Sequence, residues 1–105
     1  MIKVLEQEII KKYEIEIFPY EKKLHIHLKD HQHVIAVLEK EEVIEVRWLV
    51  FRNLAFKTAK INKESFEISY SEFNQETSEG KEFVEITEEV KRAMRPNSLK
   101  FIDSL

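Results

Sequence analysis

Strict alternation of apolar and polar residues in three separate segments constrains the fold more than any other feature of this sequence. The apolar members are Tyr13, Ile15 and Ile17 in the first segment, Leu24, Ile26 and Leu28 in the second, and Phe66, Ile68 and Tyr70 in the third. A period of two places these side chains on one face of an extended chain and their polar neighbours on the other. This pattern is typical of half-buried antiparallel strands.

Polar segments that favour turns separate the strand candidates at regular intervals. They are residues 19–23, 29–33, 39–42, 62–65 and 74–81. The sequence has one glycine and no Asn-Gly or Asp-Gly pair, so its hairpins need turns longer than two residues. The spacing predicts a mainly β fold, an antiparallel sheet curled into a small barrel or roll, with one or two short helices.

The segment from Val43 to Phe51 differs from the alternating ones, because residues 48–51 are apolar without interruption. A strand that is apolar on both faces is covered on both sides in the folded protein. We therefore expect this segment to be a central strand, with Trp48 in the core rather than in a stacking platform for a ligand.

Two further segments are compatible with either a helix or a strand. In residues 31–42, the apolar residues at 34, 35, 37 and 38 fit one face of a helix that Asp30 could cap. Five successive apolar residues, 34–38, fit a buried strand as well; the helix is favoured. Residues 2–12 remain open, since Ile2, Leu5 and Ile9 have helical spacing whereas Ile2 and Val4 have strand spacing.

A helix is predicted near residues 88–95. Thr87 can cap its first turn, and Pro96 is expected to end it. The charges have the distribution that a helix dipole favours, with Glu88 and Glu89 first and Lys91 and Arg92 last. After it, the apolar residues in 99–105 form a tail that could dock on the sheet or on a partner.

Length and composition indicate one cytoplasmic domain, residues 1–105. The chain has no cysteine, so disulfides and thiolate chemistry are excluded, and no apolar run approaches the roughly 20 residues of a membrane helix. Acidic residues interrupt the first eight positions, where a signal peptide would have an uninterrupted apolar stretch. The formal charge is −3, and the run Lys57, Lys60 and Lys63 is followed at once by glutamates, so nucleic-acid binding is not expected.

Three short segments carry a resemblance to a known family. They are His33-Val34-Ile35-Ala36-Val37-Leu38, Arg52-Asn53-Leu54-Ala55-Phe56 and Glu82-Phe83-Val84-Glu85-Ile86-Thr87-Glu88. In this order they resemble the YkvR-like family of small uncharacterised bacillar proteins, over about half of the chain. Residues 62–74 depart from the family pattern. The resemblance implies a small β-barrel-like domain in a Gram-positive cytoplasm, and it implies no activity.

All four histidines fall between positions 25 and 33, and they form the only concentration of metal-ligand chemistry in the sequence. The candidate ligands are His25, His27, Asp30, His31 and His33. On a strand, the first two share a face, about 6.5–7 Å apart, and the segment after them could supply a third ligand for zinc or another divalent transition metal. The string resembles the H-x-H-x-D-H signature of metallo-β-lactamase-fold hydrolases, but it has one residue too many before Asp30, and no histidine follows position 33. The simpler reading is the solvent-facing side of a strand.

No constellation for catalysis is recognisable, because the serines lack a glycine-flanked turn and one glycine excludes phosphate-binding loops. We therefore expect no enzyme and no cofactor, but a protein-binding or self-associating module, with a protein partner or a homodimer formed through edge strands and the tail. The alternatives are a metal carrier or minimal hydrolase that uses the histidines and, more weakly, an accessory, immunity or anti-defence factor of a mobile element.

Overall fold

Six antiparallel strands follow one another in the same order along the chain and across the sheet. The computed structural model describes residues 13–28, 33–50 and 54–103, with the side chains of 13–28, 33–49 and 57–94. The strands are β1 (Glu14–Phe18), β2 (Lys23–His27), β3 (His33–Glu39), β4 (Val43–Val50), β5 (Leu54–Asn62) and β6 (Ile68–Tyr70). One helix, α1 (Ser78–Asp103), follows them. The mainly β prediction is confirmed.

The first two alternating segments form strands β1 and β2 as predicted, with their apolar side chains on one face. In the third segment only Ile68–Tyr70 forms a strand, and Phe66 lies before it with a φ of 61°. Leu24 and Ile26 are fully buried, whereas His25 between them is half-buried. The same register continues across the sheet, where Ile26 pairs with Ile35, and Ile35 pairs with Trp48. Helix α1 covers this face with Phe83, Ile86, Val90 and Met94, each at most 1% exposed. Sheet and helix therefore share one core.

The prediction that residues 31–42 favour a helix is wrong, because residues 33–39 form strand β3. It pairs with β2 on one side and with β4 on the other. Ile35 and Val37 face the core, and Val34 and Leu38 lie on the other face. The spacing that resembled a helix is that of a strand with apolar residues on both faces. The central strand predicted at 43–51 is confirmed as β4, and residue 51 lies outside the described residues.

The sheet is not closed into a barrel, and this part of the prediction is wrong. Strands β1 and β6 are its two edges, each with a neighbour on one side only among the described residues. Closure would remove both edges, but it is not needed to bury the apolar face, since α1 supplies the second layer. Strand β6, with three residues, is also too short to pair with the whole of β1.

The C-terminal helix is much longer than predicted, since it begins at Ser78 instead of near 88 and continues to Asp103 instead of ending before Pro96. Thr77 caps it: its Oγ1 accepts a hydrogen bond from the Gly80 N–H at 3.0 Å. Thr87, predicted to be the cap, is buried in the helix and donates its hydroxyl to the Phe83 carbonyl at 2.8 Å. The ring of Pro96 removes one backbone hydrogen bond without ending the helix.

Several predictions fall on residues whose placement is not described. They concern the choice between helix and strand in 2–12, the turn at 29–32, and the side chains of the tail at 99–105. The turns predicted at 19–23, 39–42 and 62–65 join the expected strands. In the last of these, the Asn62 side chain accepts hydrogen bonds from the Glu64 and Ser65 N–H groups at 2.8 and 2.9 Å.

Candidate binding surface

The side of the sheet opposite α1 carries no described helix, and we call it the open face. Alternation along each strand and the pairing register define its members. They are Glu14, Glu16, Phe18, Lys23, His25, His27, Val34, Ala36, Leu38, Val43, Glu45, Arg47, Leu49, Thr58, Lys60, Asn62 and Ser69.

Strand β3 gives the open face an apolar centre. Its three open-face residues are Val34, Ala36 and Leu38, and Leu49 on β4 pairs with Val34. Ala36 is 3% exposed but does not belong to the core cluster under α1. It is paired with His25 on one side and Arg47 on the other, and these longer side chains rise around it. The centre is thus a shallow apolar strip between taller polar neighbours.

Charged residues of both signs surround this strip. Glu14 and Glu16 are exposed on β1, and Lys60 is exposed on β5. On β4, the Glu45 Oε1 accepts a hydrogen bond from the Arg47 Nε at 2.7 Å, with the Glu45 side chain 13% exposed. An apolar centre within a polar rim is the usual anatomy of a protein–protein interface.

One corner of the open face is organised around Phe18. The Lys23 ammonium lies 5.0 Å from the centre of its ring, and the His25 ring lies 4.8 Å away at a tilted angle. Lys23 also forms an ion pair with Glu21 at 2.9 Å. Phe18 therefore contacts both Lys23 and His25 beside the apolar strip.

The structure divides the histidine cluster between the two faces of the sheet. His25 and His27 share the open face, as predicted, and the His27 Nε2 lies 3.7 Å from a Glu16 carboxylate oxygen. His33 lies on the helix-covered face, where its ring is 5.3 Å from that of Trp48. Asp30 and His31 lie outside the described residues. Among the residues that are described, no three His, Asp or Glu side chains could hold a metal ion together. A site that includes Asp30 or His31 stays a prediction.

The pKa of His25 is lowered, chiefly because its partial burial disfavours the charged imidazolium. Lys23 and His27 lower the pKa further, while Glu16 and Glu21 oppose them. We expect the free energy of unfolding to fall as the pH drops below 6.5, because the unfolded chain then takes up this proton more readily. The stabilising contribution is fully present above pH 6.5 and is lost as the pH falls through the folded-state pKa.

Urea unfolding of His25→Gln at pH values from about 8 to about 5 tests this expectation. The variant should lose part of the acid-side decrease in stability that the unmodified protein shows. His27→Gln, on the same face of the same strand, is the matched control. An unchanged pH dependence in His25→Gln would contradict the assignment.

Trp48 lies under the apolar strip, on the helix-covered face, and is 1% exposed. The Phe83 ring of α1 is 6.3 Å from it, and the Lys57 ammonium is 4.9 Å from its ring centre. Lys57 is in turn paired with Glu79 near the helix start, at 3.3 Å. The Trp48 Nε1 is buried and has no hydrogen-bond partner among the described residues. Trp48 thus joins the central strand to the helix, and its placement in the core is confirmed.

The open face is the feature that sequence reasoning missed. The apolar strip belongs to β3. Because the spacing of the apolar residues in this segment favours a helix, the sequence does not predict these side chains on the surface of a sheet. The signal was present in Val34, Ala36 and Leu38, which are apolar at every second position.

Comparisons with known protein families, with curated proteins and with solved structures found no match to this chain. The resemblance to the YkvR-like family therefore stays a prediction. No helix in the described part of the chain combines the length and the apolar character needed to cross a membrane.

Proposed function

We propose that this protein is a non-catalytic cytoplasmic module that binds a protein surface through the open face of its sheet. The observation that carries the proposal is the apolar strip of β3 within a rim of charges. The absence of cysteine supports the cytoplasm, since small exported domains commonly depend on disulfides.

The shape and charge of the open face define the surface that it fits. The strip is recessed at its middle, because Ala36 has almost no side chain and is 3% exposed, and it is more accessible at Val34 and Leu38, so a broad partner surface contacts it mainly at its two ends. Charges of both signs stand on either side of the strip, which disfavours partners of uniform charge. The partner surface is therefore broad, apolar along one line, and charged on both sides of it.

A photo-crosslinking amino acid placed at position 38 tests this function in cells. We expect it to form a covalent adduct with a protein chain, a second copy included, whereas the same group at position 69 forms none. Ser69 lies on the open face but at the edge strand β6, away from the strip. A further substitution, Val34→Glu, should remove the adduct, because it places a charge in the strip.

Two outcomes contradict the proposal. One is the absence of adducts at position 38, and the other is an adduct that persists unchanged in the Val34→Glu background. Far-UV circular dichroism and thermal unfolding of each variant establish that it is folded. Val34 is half-buried and lies outside the core cluster, so a glutamate there retains access to solvent.

A further inference from the structure

We infer that the partner of the open face is a second copy of this chain, packed face to face about a two-fold axis that runs along β3. This inference rests on the proposed function, since it names the occupant of the same surface. Closed two-fold dimers use one patch that is complementary to itself. The open face has this property about β3.

A two-fold axis parallel to a strand places each residue of that strand against the same residue of the second copy. The open-face residues of β3 are Val34, Ala36 and Leu38, so only apolar side chains meet themselves on this axis. The same axis along any other strand from β1 to β5 brings like charges together. The residues that would meet their own copies are Glu14 and Glu16 on β1, Lys23 on β2, Glu45 and Arg47 on β4, and Lys60 on β5.

Charges away from the axis are also complementary. Lys23 and Glu45 both pair with Leu38, one from each side, so they stand in one row at equal distances from β3. The two-fold axis exchanges β2 and β4, and it therefore places Lys23 of each copy opposite Glu45 of the second copy. In the next row, Glu16 faces Thr58 of the second copy, which bears no charge of the same sign.

The row through Ala36 brings His25 opposite Arg47 of the second copy. This contact is compatible with the dimer near neutral pH, because partial burial lowers the pKa of His25 and leaves its ring uncharged. Ala36 is 3% exposed between these longer side chains, so the apolar contact on the axis is made by Val34 and Leu38.

The area of the open face sets the strength of the dimer. Five strands about 4.8 Å apart, each with about five residues, cover roughly 400 Å² before side-chain relief is counted. Counted over both copies, the area is roughly 800 Å², below the roughly 1,200–2,000 Å² of stable interfaces and in the range of weak ones. We therefore expect a dimer that dissociates on dilution, and sedimentation equilibrium measures its dissociation constant.

Because the chain has no cysteine, single-cysteine variants test the axis directly. In Leu38→Cys, a short bis-maleimide should join the two copies covalently, and Val34→Cys, on the same axis, should behave alike. Ser69→Cys is the matched control, since three strand spacings on either side of the axis separate its two copies by roughly 29 Å. Disulfide formation is a poorer measurement, because packed sheets are about 10 Å apart and exceed the reach of a disulfide.

Charge reversal gives an independent measurement. Lys23→Glu should weaken dimerisation about tenfold, because each dimer then holds two like-charged pairs in place of two ion pairs. The double variant Lys23→Glu/Glu45→Lys should recover most of the lost affinity, although it also replaces the Lys23–Glu21 and Arg47–Glu45 pairs within each copy by like charges. Lys81→Glu, at an exposed position of α1 away from the open face, is the control for the change of net charge, because it changes that charge by the same amount, and it should have a smaller effect.

The inference is overturned if both axis variants cross-link no better than Ser69→Cys, or if the double charge variant fails to restore dimerisation. Its failure is distinct from the failure of the proposed function. Adducts from position 38 to another protein, without any to a second copy, would retain the binding function and reject the dimer. The absence of adducts at that position would reject both.

Discussion

Replacing Trp48 with alanine should lower the free energy of unfolding by about 3–5 kcal/mol. The indole is 1% exposed and lies between the sheet and α1, against the Phe83 ring. Alanine leaves a cavity at this junction, which the surrounding β4 and α1 fill only in part. Since domains of this size are stable by about 5–15 kcal/mol, the loss is a large fraction of the total. Urea unfolding followed by far-UV circular dichroism measures it, because the variant lacks the only tryptophan.

Trp48→Phe separates the size of the side chain from its polar atom. In the part of the chain that the structure describes, the buried indole Nε1 has no hydrogen-bond partner, and a buried unpaired donor costs about 1–3 kcal/mol. Phenylalanine removes this donor and keeps the aromatic contact with Phe83. It leaves a cavity, but a smaller one than alanine leaves. We expect its stability to lie within about 1.5 kcal/mol of the unmodified protein. A loss as large as that of Trp48→Ala would show that the indole nitrogen has a partner after all.

The strands with one polar face could be predicted from the sequence, whereas β3 could not. Alternation is a local property, and it assigned His25 and His27 to one face of β2. The spacing of the apolar residues in β3 fits a helix as well as a strand that is covered on both faces. Pairing with β2 and β4, which are distant in sequence, decides between them. Because the open face depends on β3, the candidate site could not be predicted without the sheet.

The start of α1 could not be predicted from the local sequence either. Residues 74–81 contain the residue types that favour turns, and the sequence therefore predicts that the helix begins later, after Thr87. In the structure the turn is shorter and ends at Thr77, whose side chain caps the helix. Both threonines are suitable caps by residue type. Only packing distinguishes them, because the turn that contains Thr87 must be helical to bury Phe83 and Ile86.

Gly80→Ala should destabilise the protein, although helix propensity alone predicts a gain of about 1 kcal/mol. Gly80 is buried in the first turn of α1, and its backbone dihedrals do not require glycine. Space is the constraint. A Cβ atom at this position would collide with the carbonyl oxygen of Asn74 and lie 2.9 Å from the Cα of Gln75. Both are backbone atoms, so the turn before the helix would have to move.

The same turn holds the helix cap, and this connects the collision to a loss of stability. The Thr77 Oγ1 donates to the Asn74 carbonyl and accepts from the Gly80 N–H, each at 3.0 Å. Moving Asn74 away from a new Cβ would break these hydrogen bonds. We therefore expect overpacking to lower the free energy of unfolding by about 1–3 kcal/mol. Lys81→Ala, one exposed position further along the helix, is the control and should be nearly neutral. If Gly80→Ala raised the urea midpoint, propensity would outweigh packing here, and the turn before α1 would have room that the structure does not give it.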